Sequence, residues 1–104
     1  MADHDTITAA LDDALLTLDE LCRAATVTPQ WVQRCIAEDL LAPPLQAGAD
    51  PADWRFAAPL LYRVRRMRRI EREFDAVPEL AALVADLVDE IAALRAQLKR
   101  AGLA

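Results

Sequence analysis

The sequence contains no serine, one histidine and two glycines among its 104 residues, and these shortages exclude several classes of site. Without serine there is no serine nucleophile and no G-x-S-x-G turn. No glycine-rich phosphate loop is present. The single histidine, His4, and two cysteines thirteen residues apart do not supply the clustered ligands of a metal site. We therefore expect no catalytic residues, no metal and no cofactor.

Long apolar runs are also missing. No stretch approaches the ~18–20 apolar residues of a membrane span, and the acidic residues 1–6 do not resemble a secretory signal. Two cysteines in a chain without a leader do not form a disulfide framework. We expect a cytoplasmic protein in which Cys22 and Cys35 are reduced, buried apolar residues of helical stripes.

Charge is distributed unevenly along the chain. The net charge is −5, but residues 1–54 carry −8, residues 55–73 carry +5 and residues 74–104 carry −2. A partner that responds to charge therefore meets local patches rather than the average. By its overall charge the chain is not expected to bind nucleic acid, although the basic segment leaves that alternative open.

Two short helices joined by a tight turn are predicted after residue 16. Thr17 and Glu20 have the spacing of a capping box, which starts a helix. Thr28 followed by Pro29 suits the start of a second helix. Because only residues 25–27 separate the two, the pattern predicts a helix-turn-helix.

The segments around this unit are less regular. Residues 7–16 could form a short helix or end in a short strand at residues 15–17. Residues 45–53 form a loop, and the strand-like residues 54–56 suggest the return of a small hairpin or wing. We expect residues 1–16 to be flexible or partly ordered and residues 17–76 to form the helix-turn-helix with its wing and an arginine-rich helix.

The arginine-rich helix is predicted from Pro59, with its inward face ending at Phe74. It could be a solvated face whose arginine stems cover apolar surface and pair with acids. It could instead contact phosphates. In that alternative the candidate nucleic-acid contacts are Gln33, Arg34, Arg65, Arg68 and Arg69.

Residues 77–104 are predicted to form a long helix with a heptad seam. The seam is formed by Leu80, Val84, Leu87, Ile91, Leu94 and Leu98. It could pack on the helix-turn-helix or on a second copy of the chain, and we expect a homodimer. A parallel pair would bring Glu90 to Arg95 of the other copy, whereas an antiparallel pair would not.

Residues 17–44 resemble the opening of a MerR-type winged helix-turn-helix. The similarity lies in the T-[IL]-x-E-L start, the V-[ST]-P before the second helix and the L-L-x-P exit. It implies a mainly α-helical fold with a small β-hairpin wing and a long C-terminal coiled-coil helix. That family binds DNA as dimers, usually with Arg-Tyr-Tyr on its recognition helix. Here Gln33, Arg34 and Cys35 stand in those places, so most of the family's phosphate and base contacts are missing.

Residues 15–100 also resemble the CbpM family of chaperone modulators, which are themselves MerR-like. The similar features are D-W-R-F at residues 53–56, the arginine run at residues 63–75, and a proline before a long leucine-rich helix. Val77 and Pro78 depart from the tryptophan and glycine of that family. The resemblance implies binding to the J-domain of a CbpA/DnaJ-like co-chaperone and inhibition of its stimulation of DnaK. The alternative is a dimeric MerR-like transcriptional regulator that binds DNA.

An acidic surface would suit the proposed partner, because J-domains of this kind dock on DnaK through a basic helix. Complementary charge speeds encounter and is sensitive to salt. The same carboxylates could equally form an ordinary solvated face. The candidate partner-binding residues are Asp75, Glu79, Asp86, Asp89 and Glu90.

Overall fold

The computed structural model describes residues 15–103, which form four helices and a two-stranded antiparallel sheet. This is the mainly α-helical winged helix-turn-helix that was predicted, whereas the expectations for residues 1–14 lie outside the described residues. The elements are β1 (Leu15–Thr17), α1 (Leu18–Ala25), α2 (Pro29–Ala37), a short 3₁₀ turn (Pro51–Asp53), β2 (Arg55–Ala57), α3 (Leu60–Phe74) and α4 (Pro78–Arg100).

Both predicted helix starts are confirmed by their caps. The Thr17 amide donates to the Glu20 carboxylate at 2.8 Å, and the Glu20 amide donates to the Thr17 hydroxyl at 3.0 Å. The Thr28 hydroxyl accepts from the Trp31 amide at 3.1 Å and starts α2. Thr26, between the helices, has a φ of 57°. Its left-handed backbone ends α1 and turns the chain into α2 within a few residues.

The sheet joins the two ends of the helix-turn-helix. Strand β1 pairs with β2 in an antiparallel register that places Leu16 opposite Phe56. The strand that was one alternative at residues 15–17 is therefore observed, while residues 7–14 lie outside the described part of the chain. On its other side β2 forms hydrogen bonds with the wing loop. The Leu45 amide donates to the Arg55 carbonyl at 2.8 Å. The strand-like segment is thus a strand, and it lies between β1 and the wing.

One hydrophobic core connects the sheet to all four helices. Phe56 lies at its centre, with no exposed surface. Cys22 and Cys35 are buried there as free thiols, as predicted. The largest fully buried side chains are Phe56, Leu21, Met67, Val32, Val64 and Cys35.

The α3–α4 hairpin is packed through small residues. Ala81, Ala82 and Ala85 of α4 are buried in the cluster that contains Val64 and Met67 of α3. Because alanine extends no further than Cβ, the two helix backbones approach closely here. The first turns of α4 therefore pack on α3 through alanines, while the leucines of α4 lie elsewhere on the helix.

One prediction at this junction is wrong. Phe74 was placed on the inward face of α3, but it is 70% exposed because the chain leaves the helix immediately after it. Asp75 ends α3 in the left-handed conformation, with a φ of 50°. Helix α4 begins after Val77, without a side-chain cap.

Truncating the centre of the core should test this packing. We expect Phe56→Ala to lower the free energy of unfolding by about 3–5 kcal/mol, because it removes a fully buried ring and leaves a cavity. Leu45→Ala, at a side chain that is 66% exposed, should change it by less than about 0.5 kcal/mol. Urea denaturation followed by circular dichroism measures both, and equal effects would contradict the described core.

Candidate interaction surfaces

The outer face of α2 carries little positive charge that a ligand could use. Arg34 is the only cation of this helix. It donates to Glu38 at 3.2 Å and to Glu79 of α4 at 3.3 Å. The hydrogen bond to Glu38 and the charges of both carboxylates raise the pKa of Arg34. Its guanidinium therefore stays protonated, and its positive charge is compensated by two carboxylates within the chain.

The wing is equally poor in available cations. Asp50 accepts from the Ala52 amide at 2.9 Å and starts the 3₁₀ turn. Arg55 directs its guanidinium back onto the loop, where it donates to the carbonyls of Ala52 at 3.1 Å and Trp54 at 2.8 Å. Asp50 and Asp53 are exposed. The tip of the wing consequently presents carboxylates to a partner.

Some arginines of α3 bind other parts of the chain. Arg63 donates twice to the Leu40 carbonyl, at 3.1 and 2.9 Å, and once to Asp86 at 2.7 Å. Arg66 forms an ion pair with Asp89. These residues tie α3 to the end of the helix-turn-helix and to α4. The prediction that the arginines of α3 form a solvated face therefore applies to only part of the helix.

The other side of α3 faces solvent and forms a groove with the turn between α1 and α2. The groove has a volume of about 490 Å³. Arg65 spans it and donates to the Ala24 carbonyl at 3.3 and 3.2 Å. Its lining comprises Ala24, Ala25, Thr26, Tyr62, Arg65, Arg66, Arg68, Arg69 and Arg72.

The candidate nucleic-acid contacts do not form one surface. Arg34 lies between α2 and the start of α4, beside Glu79. Gln33 is half-buried on α2. Arg65, Arg68 and Arg69 instead line the groove of α3. The structure thus separates these five residues into two sets with different neighbours.

Trp31 links these two regions. It is half-buried on α2, and its indole nitrogen donates to Glu71 of α3 at 3.4 Å. Glu71 also accepts from Arg68 at 2.9 Å. The tryptophan is therefore held between helices and is not a freely exposed anchor.

Most of the predicted acidic residues are engaged within the chain. Glu79 pairs with an arginine of α2, while Asp86 and Asp89 pair with arginines of α3. Asp75 ends α3. Glu90 forms no ion pair with any residue in the range 15–103. The Asp75 carboxylate likewise forms no ion pair among the described residues, so of the four candidate carboxylates on α4 Glu90 is the one without an arginine partner.

The heptad seam of α4 faces away from the body. Val84 is half-buried, and the other five seam residues are 44–53% exposed. Leu83 and Val88 widen this strip and are also exposed. Contiguous apolar surface of this kind marks an interaction site in a soluble domain. Apart from Val84, which packs against the core, the seam is therefore not part of the intramolecular packing.

The described residues give no sign of a reactive thiol, a metal site or a membrane span. Burial raises the pKa of the Cys35 thiol to about 11 and also raises the pKa of Cys22, so neither is a thiolate near neutral pH. Within residues 15–103, no three potential metal ligands come together. No helix in that range is long and apolar enough to cross a membrane.

The ion pairs between α3 and α4 were not predicted. The sequence does contain a pattern that could have indicated them. Arg63 and Arg66 are three residues apart on α3, and Asp86 and Asp89 have the same spacing on α4. The contact of Arg63 with Leu40 has no such signal, since the acceptor is a main-chain carbonyl at the end of the helix-turn-helix.

Comparison with known proteins identifies the family of the chain. Residues 16–101 match the family model described as MerR HTH family regulatory protein. No curated protein matches the chain. No solved structure matches it either.

The contact between α3 and the exit of α2 generates a prediction. We expect Arg63→Ala to lower the free energy of unfolding by about 1–3 kcal/mol, because it removes charge-assisted hydrogen bonds to a partly buried carbonyl. Arg69→Ala on the exposed face of the same helix should change it by less than about 0.5 kcal/mol. Thermal or urea unfolding compares the two, and a stability loss no larger for Arg63→Ala would contradict this role.

Proposed function

Because the chain belongs to the MerR HTH family of regulatory proteins, we propose that it is a non-enzymatic regulator whose target is another protein. The proposed target is the J-domain of a CbpA/DnaJ-like co-chaperone, and the proposed effect is inhibition of its stimulation of DnaK. The proposal also places the chain in the cytoplasm, in keeping with its two free, buried cysteines.

The observation that carries this proposal is the charge of the face with which a winged helix-turn-helix reads DNA. Such domains place the second helix in the major groove and neutralise phosphates with lysine and arginine. Here Arg34 is held between two carboxylates, and Arg55 bonds carbonyls of its own loop. The exposed Asp50 and Asp53 would repel a phosphate backbone. This face therefore favours a protein partner over the DNA-binding alternative.

The choice of a J-domain rests on the resemblance to the CbpM family and on the acidic side of α4. Glu79, Asp86 and Glu90 are spaced seven and four residues apart, so they lie along one side of the helix. The first two are partly compensated by arginines. Glu90 therefore supplies the least compensated charge for a basic helix of the partner.

We also propose that the regulator is a homodimer that pairs through the heptad seam. The alanine side of α4 is occupied by α3, whereas the seam is exposed over nearly the whole helix. β-branched Val84 and Ile91 alternate with leucines along it, a pattern that favours two strands. A second copy would cover apolar surface that a monomer leaves in water.

Reversing the least compensated charge tests the partner. We expect Glu90→Lys to weaken binding to the isolated J-domain of the host's CbpA-like co-chaperone several-fold and to reduce its sensitivity to salt. Titration calorimetry measures the affinity, and J-domain-stimulated ATP hydrolysis by DnaK measures the inhibition.

Glu73→Lys is the matched control, because it makes the same charge change at an exposed residue of α3. It should leave J-domain affinity unchanged. Equal affinity of both variants would exclude this side of α4 from the proposed J-domain interface. Absence of any J-domain binding by the unaltered chain, at two temperatures, would overturn the proposed function.

A charge within the seam tests the dimer. We expect Ile91→Glu to shift the mass in solution from the dimer to the 11.5 kDa monomer, because the carboxylate would be buried against the other copy. Leu45→Glu, on an exposed leucine outside the seam, should remain dimeric. Sedimentation equilibrium distinguishes them. A monomeric unaltered chain, or a dimeric Ile91→Glu variant, would contradict pairing through this surface.

A further inference from the structure

A row of arginines follows the outward face of α3. Arg65, Arg69 and Arg72 are spaced by four and three residues, so they lie on one side of the helix, with Tyr62 at its beginning. From Tyr62 to Arg72 the helix rises by roughly 15 Å. Together with Arg68 these residues line the groove against the α1–α2 turn. We call these five residues the arginine groove.

Two members of the arginine groove are held in place by the chain itself. Arg65 is bonded to the Ala24 carbonyl, and Arg68 is paired with Glu71. The Nε of Arg68 is buried and finds no acceptor among residues 15–103. A buried donor without an acceptor costs free energy, so Arg68 is held by its packing and by Glu71 and serves as part of the groove wall.

The other two arginines are open to a ligand. Neither Arg69 nor Arg72 forms an ion pair or a side-chain hydrogen bond within the described part of the chain. Both are exposed, and no carboxylate lines the groove. A planar guanidinium binds a carboxylate or a phosphate through two parallel hydrogen bonds. The groove therefore provides free anion-binding groups on a preformed wall.

The size and setting of the groove favour a short anionic ligand. Double-stranded DNA carries a charge every ~1.7 Å and extends far beyond a groove of this length. It would meet the acidic surroundings, since residues 1–54 carry −8. A peptide segment of about ten helical residues, or four to five extended ones, would fit within the groove.

We propose that the arginine groove docks an acidic peptide segment of a partner protein. Arg69 and Arg72 would bind its carboxylates, while Arg65 and Arg68 form the wall on which the segment lies. Tyr62, which is 50% exposed, provides an aromatic surface at one end. This site lies on a different helix from Glu90, and it does not depend on the proposed J-domain function.

The test uses the full chain and a fluorescein-labelled peptide of alternating glutamate and alanine, about ten residues long. Fluorescence anisotropy measures its affinity at about 50 mM and about 300 mM NaCl. The groove variant is Arg69→Glu with Arg72→Glu. Its matched control is Lys99→Glu with Arg100→Glu, which makes the same charge change at the end of α4. Circular dichroism verifies that both variants are folded.

We expect the unaltered chain and the control to bind the peptide, more weakly at the higher salt concentration. The groove variant should lose affinity by at least about tenfold, because two charge-assisted contacts become repulsive. A peptide with glutamine in place of glutamate should not bind. Absence of binding at low salt, equal losses in both variants, or binding of the glutamine peptide would overturn the proposal. So would tighter binding of a single-stranded oligonucleotide of equal charge that the groove variant abolishes, because the site would then be one for phosphates.

Discussion

The close packing of the alanine face of α4 on α3 is the contact on which the exposed surfaces of these two helices depend. Ala81, Ala82 and Ala85 bring the two helices together over the first turns of α4. Because α3 covers the alanine side of α4, the leucines and other large apolar residues of α4 lie on its other faces. The heptad seam is therefore exposed because a different face of the same helix provides the intramolecular contact.

The same packing divides the arginines of α3 into two groups with different roles. Arginines at the border with α4 meet Asp86 and Asp89, and Arg63 also holds the Leu40 carbonyl at the end of the helix-turn-helix. On the opposite side Arg68 pairs with Glu71 of its own helix, while Arg69 and Arg72 have no carboxylate partner among residues 15–103, so this side forms a local cationic surface. A chain with a net charge of −5 thus presents one positive groove. Net charge describes the average surface, whereas a partner meets a local one.

The family fold does not decide the ligand of this protein. A winged helix-turn-helix is a scaffold, and its partner depends on the side chains that the scaffold presents. Here Arg34 and Arg55, which could have met phosphates, are bonded within the chain. Among the described residues, the surfaces left available include an apolar strip on α4, the carboxylate of Glu90, the arginine groove and the carboxylates of the wing tip. The first three lie on α3 and α4 rather than on α2, and they are the surfaces on which the proposed protein recognition rests.

The sequence by itself determined the elements whose signals are local. The Thr17–Glu20 capping box and the Thr28–Pro29 start act over one turn of helix, so both helices were predicted correctly. The heptad spacing likewise predicted the long α4. Only the tertiary structure decided what those elements present. It exposed Phe74, paired Asp86 and Asp89 with arginines, and left Arg69 and Arg72 without a partner among residues 15–103. Each of these outcomes depends on how one helix is rotated relative to another. That rotation is fixed by contacts between residues that are far apart in the chain.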